Sequence, residues 1–99
     1  MAVTGRIDSL TSPVFEAQML KWVDSEAAWF VLDLSSVSFM SSAALRVLLT
    51  MAKRTARSKK TIVLAAPSAE IQDILNIANF TAVFKIEPTV EAAIATAMP

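Results

Sequence analysis

The chain has 99 residues, no cysteine, no histidine, one glycine and a formal net charge of zero. That length predicts a single domain over residues 1–99, near the size at which one core just suffices for independent folding. With 55% hydrophobic and 18% charged residues, the composition is that of a folded chain rather than a disordered one. The missing cysteine and histidine exclude a disulfide framework, thiolate or imidazole metal sites and the usual neutral-pH general base. Catalysis would fall to carboxylates, lysines and hydroxyls, so the sequence predicts no enzyme, no cofactor and no metal. Nine basic against nine acidic side chains give no overall field for nucleic acid.

No stretch reaches the roughly 18 consecutive apolar residues of a membrane-spanning helix. The run Ala27 to Leu32 ends at Asp33 and fits a buried strand. Residues 1–6 lack the basic-then-apolar layout of a secretion signal, and the expected location is cytoplasmic.

Residues 2–7 are short and β-leaning. Ser12-Pro13 predicts a helix start, with Ser12 as N-cap and Pro13 at the first helical position, where its missing N–H is harmless. Val14, Phe15, Met19, Leu20, Trp22 and Val23 are the apolar members of that helix, with Phe15, Met19 and Trp22 on one face. Trp29 to Leu34 is too short for a helix and rich in strand formers. A continuously apolar strand is normally covered on both faces.

The hydroxyl-rich segment from Ser35 to Ser41 is a connection. Ser41 or Ser42 then caps a second helix, expected from about residue 43 to Arg57. Leu45, Leu48, Leu49, Ala52 and Ala56 are its expected apolar stripe, opposite Arg46, Thr50, Lys53, Arg54 and Arg57. Residues 61–66 predict a third strand stopped by Pro67. Ser68 caps a third helix with Glu70 in its first turn, and Asn79 supplies a left-handed stop. Residues 83–86 predict a last strand, and Pro88-Thr89 opens a final helix from Val90 to about Ala97. Strands alternating with helices make this an α/β fold with a largely parallel sheet.

The segment Asp33-Leu34-Ser35-Ser36-Val37-Ser38-Phe39-Met40-Ser41-Ser42-Ala43-Ala44-Leu45-Arg46-Val47-Leu48-Leu49 resembles the signature of STAS domains, more narrowly that of bacterial anti-sigma factor antagonists. Thr4-Gly5-Arg6-Ile7-Asp8 is similar to the family's first turn, and the strand-Pro-helix of 61–78 and the stretch 80–86 also fall in register. The resemblance implies a STAS-type, four-stranded, mostly parallel (mixed) sheet flanked by about four helices, with a shortened N-terminal strand. It implies phosphorylation of Ser42, with Ser41 as second choice, by a partner that is both serine kinase of ATPase-like fold and anti-sigma factor. Ser36, Ser38, Phe39, Met40, Ser41, Ala44 and Arg46 are then the expected partner-binding residues, a phosphatase is a further expected partner, and the role is regulation of transcription. Three positions depart from the pattern: Ser41 stands where many members have Asp, Ala43 replaces a second hydroxyl residue, and Ala44 replaces a glycine.

A serine at a helix start lies beside backbone N–H groups without helical acceptors and at the positive end of the dipole. A phosphoryl group there adds about −1.5 to −2 charges where the helix tolerates them. The fold should survive, while the surface changes sign and bulk and repels a partner.

Other readings stand beside this one. Ser41 and Ser42 as N-caps alone would each contribute about 1 kcal/mol to the helix. The basic residues Arg46, Lys53, Arg54, Arg57, Lys59 and Lys60 form either a solvated face or a docking surface for an acidic partner. Asp8 and Asp33 have nothing to make them a catalytic pair; Asp33 is expected to end its strand and organise the loop. A hydrolase with Ser42 as nucleophile lacks an activating base and elbow glycines. The alternative function is an unphosphorylated STAS interaction subunit of a transporter complex or signalling scaffold. An unpaired edge at residues 2–6 would offer a homodimer contact.

Overall fold

The structure is a computed structural model that describes residues 2–4, 12–37 and 39–98. The elements follow in the order β1 (Ala2–Thr4), α1 (Ser12–Val23), β2 (Trp29–Asp33), α2 (Ser42–Arg57), β3 (Thr61–Ala65), α3 (Ala69–Ile77), a 3-10 turn (Phe80–Ala82), β4 (Lys85–Glu87) and α4 (Val90–Ala97). The spatial order of the strands is β1-β2-β3-β4. The body of the sheet is β2, β3 and β4, with β1 as a short edge that pairs Ala2, Val3 and Thr4 with Val31, Leu32 and Asp33. In the centre Trp29 to Asp33 pair in register with Thr61 to Ala65.

Every one of these pairings is parallel, so the mixed character expected of the sheet is not found among the described residues. The connections explain it. Each strand is followed by a helix that carries the chain back to the start of the next one, which is how parallel neighbours are joined. Right-handed crossovers laid down in one direction place their helices on the same face. Accordingly Met19 and Trp22 of α1, Leu48 and Met51 of α2, and Ile71 and Leu75 of α3 share one core with Phe30, Leu32, Ile62 and Leu64 of the sheet. Helix α4 closes the other face. There Ala93 and Ala97 meet Val31, Val63 and Ala65. Phe30, Val31 and Leu32 are all buried, as a strand covered on both sides must be.

Local chemistry sets the helix ends. Ser68 Oγ accepts from Ile71 N–H at 3.2 Å, and Thr89 Oγ1 accepts from Ala92 N–H at 3.0 Å. Asn79 takes φ 61° behind α3, the left-handed stop its side chain predicts. Lys59 does the same behind α2 at φ 57°, and Lys60 N–H reaches back to the Thr55 carbonyl at 2.9 Å. That pattern closes the orphan carbonyls of the last turn.

Four expectations need correction. Helix α1 begins at Ser12, so the N-cap position falls one residue earlier than expected, outside the described residues. The fourth strand starts at Lys85, because the chain first makes the 3-10 turn and buries Phe84 against Phe80, ring centroids 5.8 Å apart. The second helix starts at Ser42 rather than 43. Its buried stripe is Ala44, Val47, Leu48, Met51 and Thr55; of the expected members only Leu48 is fully buried, while Leu49 and Ala56 are exposed. Thr55 can lie inside because its hydroxyl donates to the Met51 carbonyl at 2.9 Å.

Candidate functional site

The candidate site is the connection from β2 to α2, at the end of the sheet where the strands finish. Asp33 ends β2, and its Oδ1 accepts from Ser35 N–H at 2.8 Å, a side-chain turn that starts the loop. Leu34 N–H extends the sheet pairing to the Ala65 carbonyl at 2.8 Å, and Val37 N–H closes a turn onto Leu34 O at 3.0 Å. Leu34, Val37 and Met40, three residues apart, point inward and are buried. They anchor the loop to the core. Ser35, Ser36 and Phe39 lie outward, with Phe39 55% exposed.

The two serines at the helix start have different tasks. Ser41 is the N-cap: extended at φ −78° and ψ 165°, it accepts from Ala44 N–H at 3.1 Å, and its carbonyl takes Leu45 N–H at 3.0 Å. It is half-buried. Ser42 is the first helical residue and is exposed. The backbone N–H groups of Ser42 and Ala43 belong to the first turn, where no helical carbonyl can reach them. No acidic residue occupies that turn. An anionic group on Ser42 would therefore meet a positive helix end without a competing carboxylate.

The remaining expected site residues divide by exposure. Ser36, Phe39 and Arg46 are accessible. Met40 at 4% and Ala44 at 0% exposure are buried, and both hold the loop and helix start from beneath. The methionine is drawn in by the same spacing that buries Leu34 and Val37, and Ala44 is the first member of the inward face of α2. Ser38 lies outside the described residues, as do Gly5 and Asp8. Leu49 was assigned to the core, yet it is 37% exposed between Arg46 and Lys53. A strict spacing of four and three from Ala44 would have excluded it from the buried face.

Trp22 serves the core, 5% exposed and stacked at 4.0 Å on Phe30. The Lys60 ammonium sits 5.6 Å over its ring and donates to the carbonyls of Trp22 and Ser25. Lys60 is thereby a cap for the end of α1. No group of potential metal ligands and no helix long and apolar enough to cross a membrane occurs among the described residues.

A loop braced by inward apolar residues, a capped helix start and an exposed serine on a sheet-and-helix frame are the features of a STAS domain. The STAS domain family model matches residues 1–93, and the chain belongs to that family. A relative from Bordetella bronchiseptica, BtrV, named as an anti-sigma factor antagonist, is 32% identical over 98 residues, covering 96% of this chain and 84% of its own. Among solved structures, TM1081 of Thermotoga maritima, described as an anti-sigma factor antagonist, matches with a TM-score of 0.88 at 19% identity, covering 97% of this chain and 86% of that one. The STAS domain of a SulP transporter from Vibrio cholerae matches with a TM-score of 0.72 at 19% identity, covering 97% and 77%. The two structural likenesses establish the fold alone.

Proposed function

We propose that this chain is an anti-sigma factor antagonist, a regulator rather than an enzyme. It binds a serine-kinase-type anti-sigma factor through the loop of residues 35–46, and phosphorylation of Ser42 ends the complex. The observation that carries this reading is the division between the two serines. Ser41 spends its hydroxyl on the cap and is half-buried, whereas Ser42 is exposed on the first turn. Family membership and the name of the Bordetella relative support the partner class.

Phosphate on Ser42 adds its charge at a helix start that favours it, so the fold stays and the contact surface changes. A complex weakened by about 3 kcal/mol loses roughly a hundredfold in affinity. Release then needs no rearrangement of the domain, and a phosphatase that removes the group would restore binding.

The test is incubation with ATP and the kinase-type anti-sigma factor of the same genome. One phosphoryl group per chain is expected, absent in Ser42→Ala and retained in Ser41→Ala. A modification that survives Ser42→Ala and vanishes in Ser41→Ala would reassign the acceptor. If the wild type gains no phosphate from that kinase, the antagonist switch is wrong and an unphosphorylated interaction subunit of a transporter complex or scaffold takes its place; the STAS domain of a SulP transporter shares this fold. A homodimer through β1, which stands at one end of the strand order, belongs to this proposal as well. A monomer mass at high concentration in sizing would remove it.

A further inference from the structure

The zero net charge conceals a strong separation. From residue 34 to residue 69 there are six basic residues, Arg46, Lys53, Arg54, Arg57, Lys59 and Lys60, and no acidic one. All nine carboxylate side chains lie outside that stretch. Within α2, no cation has a carboxylate three or four residues away, the spacing at which a solvated helix gains from ion pairs. Lys53 and Arg57 instead stand four apart as a like-charged pair, which weakens a helix by about 0.2–0.5 kcal/mol. Arg54 and Arg57 offset part of this at the negative end of the dipole. Arg46 is in the first half, where a cation gains nothing from the dipole.

The positions are also aligned. At 100° per residue, Ser42, Arg46, Leu49, Lys53 and Arg57 fall within about 80° of arc along a helix about 22 Å long. All five are exposed. Ser42 heads the stripe, and Leu49 is an apolar side chain set between two cations.

We propose that this stripe is the docking surface for a carboxylate-rich strip on the partner, about 20 Å long, with an apolar contact opposite Leu49. Charge complementarity selects that occupant: below Ser42 the stripe carries three cations and one aliphatic side chain, and it includes no acidic residue and no aromatic that could stack a base. The inference rests on the antagonist reading for the identity of the partner, the anti-sigma factor, but the chemistry of the strip follows from this chain. A phosphate on Ser42 would place a negative charge at the head of the stripe, where the partner's own carboxylates arrive. The same anion thus favours the helix start and opposes the docked strip.

The probe is an acidic helical peptide of about 20 residues, with Glu repeated at helical spacing around one Leu. Its Gln counterpart and a DNA duplex of similar length are the comparisons. In amide NMR titration of the whole chain, the Glu peptide should shift residues of the outer face of α2, with affinity falling about tenfold between low and physiological salt. The triple variant Arg46→Gln, Lys53→Gln, Arg57→Gln keeps every buried side chain and should lose those shifts. Absence of α2 shifts, an equal response to the Gln peptide, or stronger binding of the duplex would each overturn the proposal. With the anti-sigma factor itself, the triple variant should associate about tenfold more slowly. Unchanged association in that variant, with binding still abolished by Ser42→Asp, would sink the stripe and leave the antagonist reading standing. Peptide shifts on α2 without any binding of the anti-sigma factor would do the reverse.

Discussion

The two faces of the sheet are built differently. Under α1, α2 and α3 the contacts are large side chains: Phe30, Leu32, Leu64, Leu48, Met51 and Trp22. Under α4 the buried residues are small, Ala93 and Ala97 set against Val31, Val63 and Ala65, and the larger Trp29, Val90 and Ile94 are only partly buried around them. Helix α2, which carries the candidate site, is thus fixed by the thick face, and its outward residues are released from any structural duty. A surface for partners is most economically placed on an element anchored this way.

The contrast can be broken from either side. Leu64→Ala, at a fully buried position of the thick face, should lower stability by about 2–5 kcal/mol in denaturant unfolding. On the thin face the damaging change is an increase in size. Ala93→Leu should destabilise by about 1–3 kcal/mol through overpacking, and a neutral result would show that α4 is free to lift away from the sheet. Ser41→Ala should cost about 1 kcal/mol through loss of the cap. Ser42→Ala should stay within about 0.5 kcal/mol of the wild type, since an exposed first-turn hydroxyl has little to lose. Equal effects of the two would erase the distinction on which the proposed function rests. Opposite in sign is the effect of Ala66→Gly. Ala66 sits at φ 55° beyond β3, a region that penalises a Cβ, and glycine there should raise stability by about 0.5–1 kcal/mol, read as a higher midpoint.

Much of the fold was legible because its signals are local. Ser68 and Thr89 cap helices through N–H groups three residues away, and Asn79 turns the chain with its own backbone. Such features need no tertiary knowledge. The central strands announce themselves by unbroken apolar runs. Where the reading slipped, packing had decided. The inward face of α2 uses Ala44 and Thr55, which hydropathy does not mark, and releases Leu49, which it does. Val83 and Phe84 look like strand, yet Phe84 is buried beside Phe80 in the turn before β4. At the site, the serines and Arg46 were readable as a pattern, but the burial of Met40 and Ala44 depends on how the loop folds back over the core.

The order of strands in space repeats their order along the chain. Each new strand therefore attaches to an edge that already exists, and none must be inserted between two others. The chain can extend its sheet one unit at a time, and β3 is the one neighbour that β2 needs for Leu34 to be pinned to Ala65. The helix start that bears Ser42 is therefore held by β2, β3 and the helices of one face, without contribution from α4 on the opposite face.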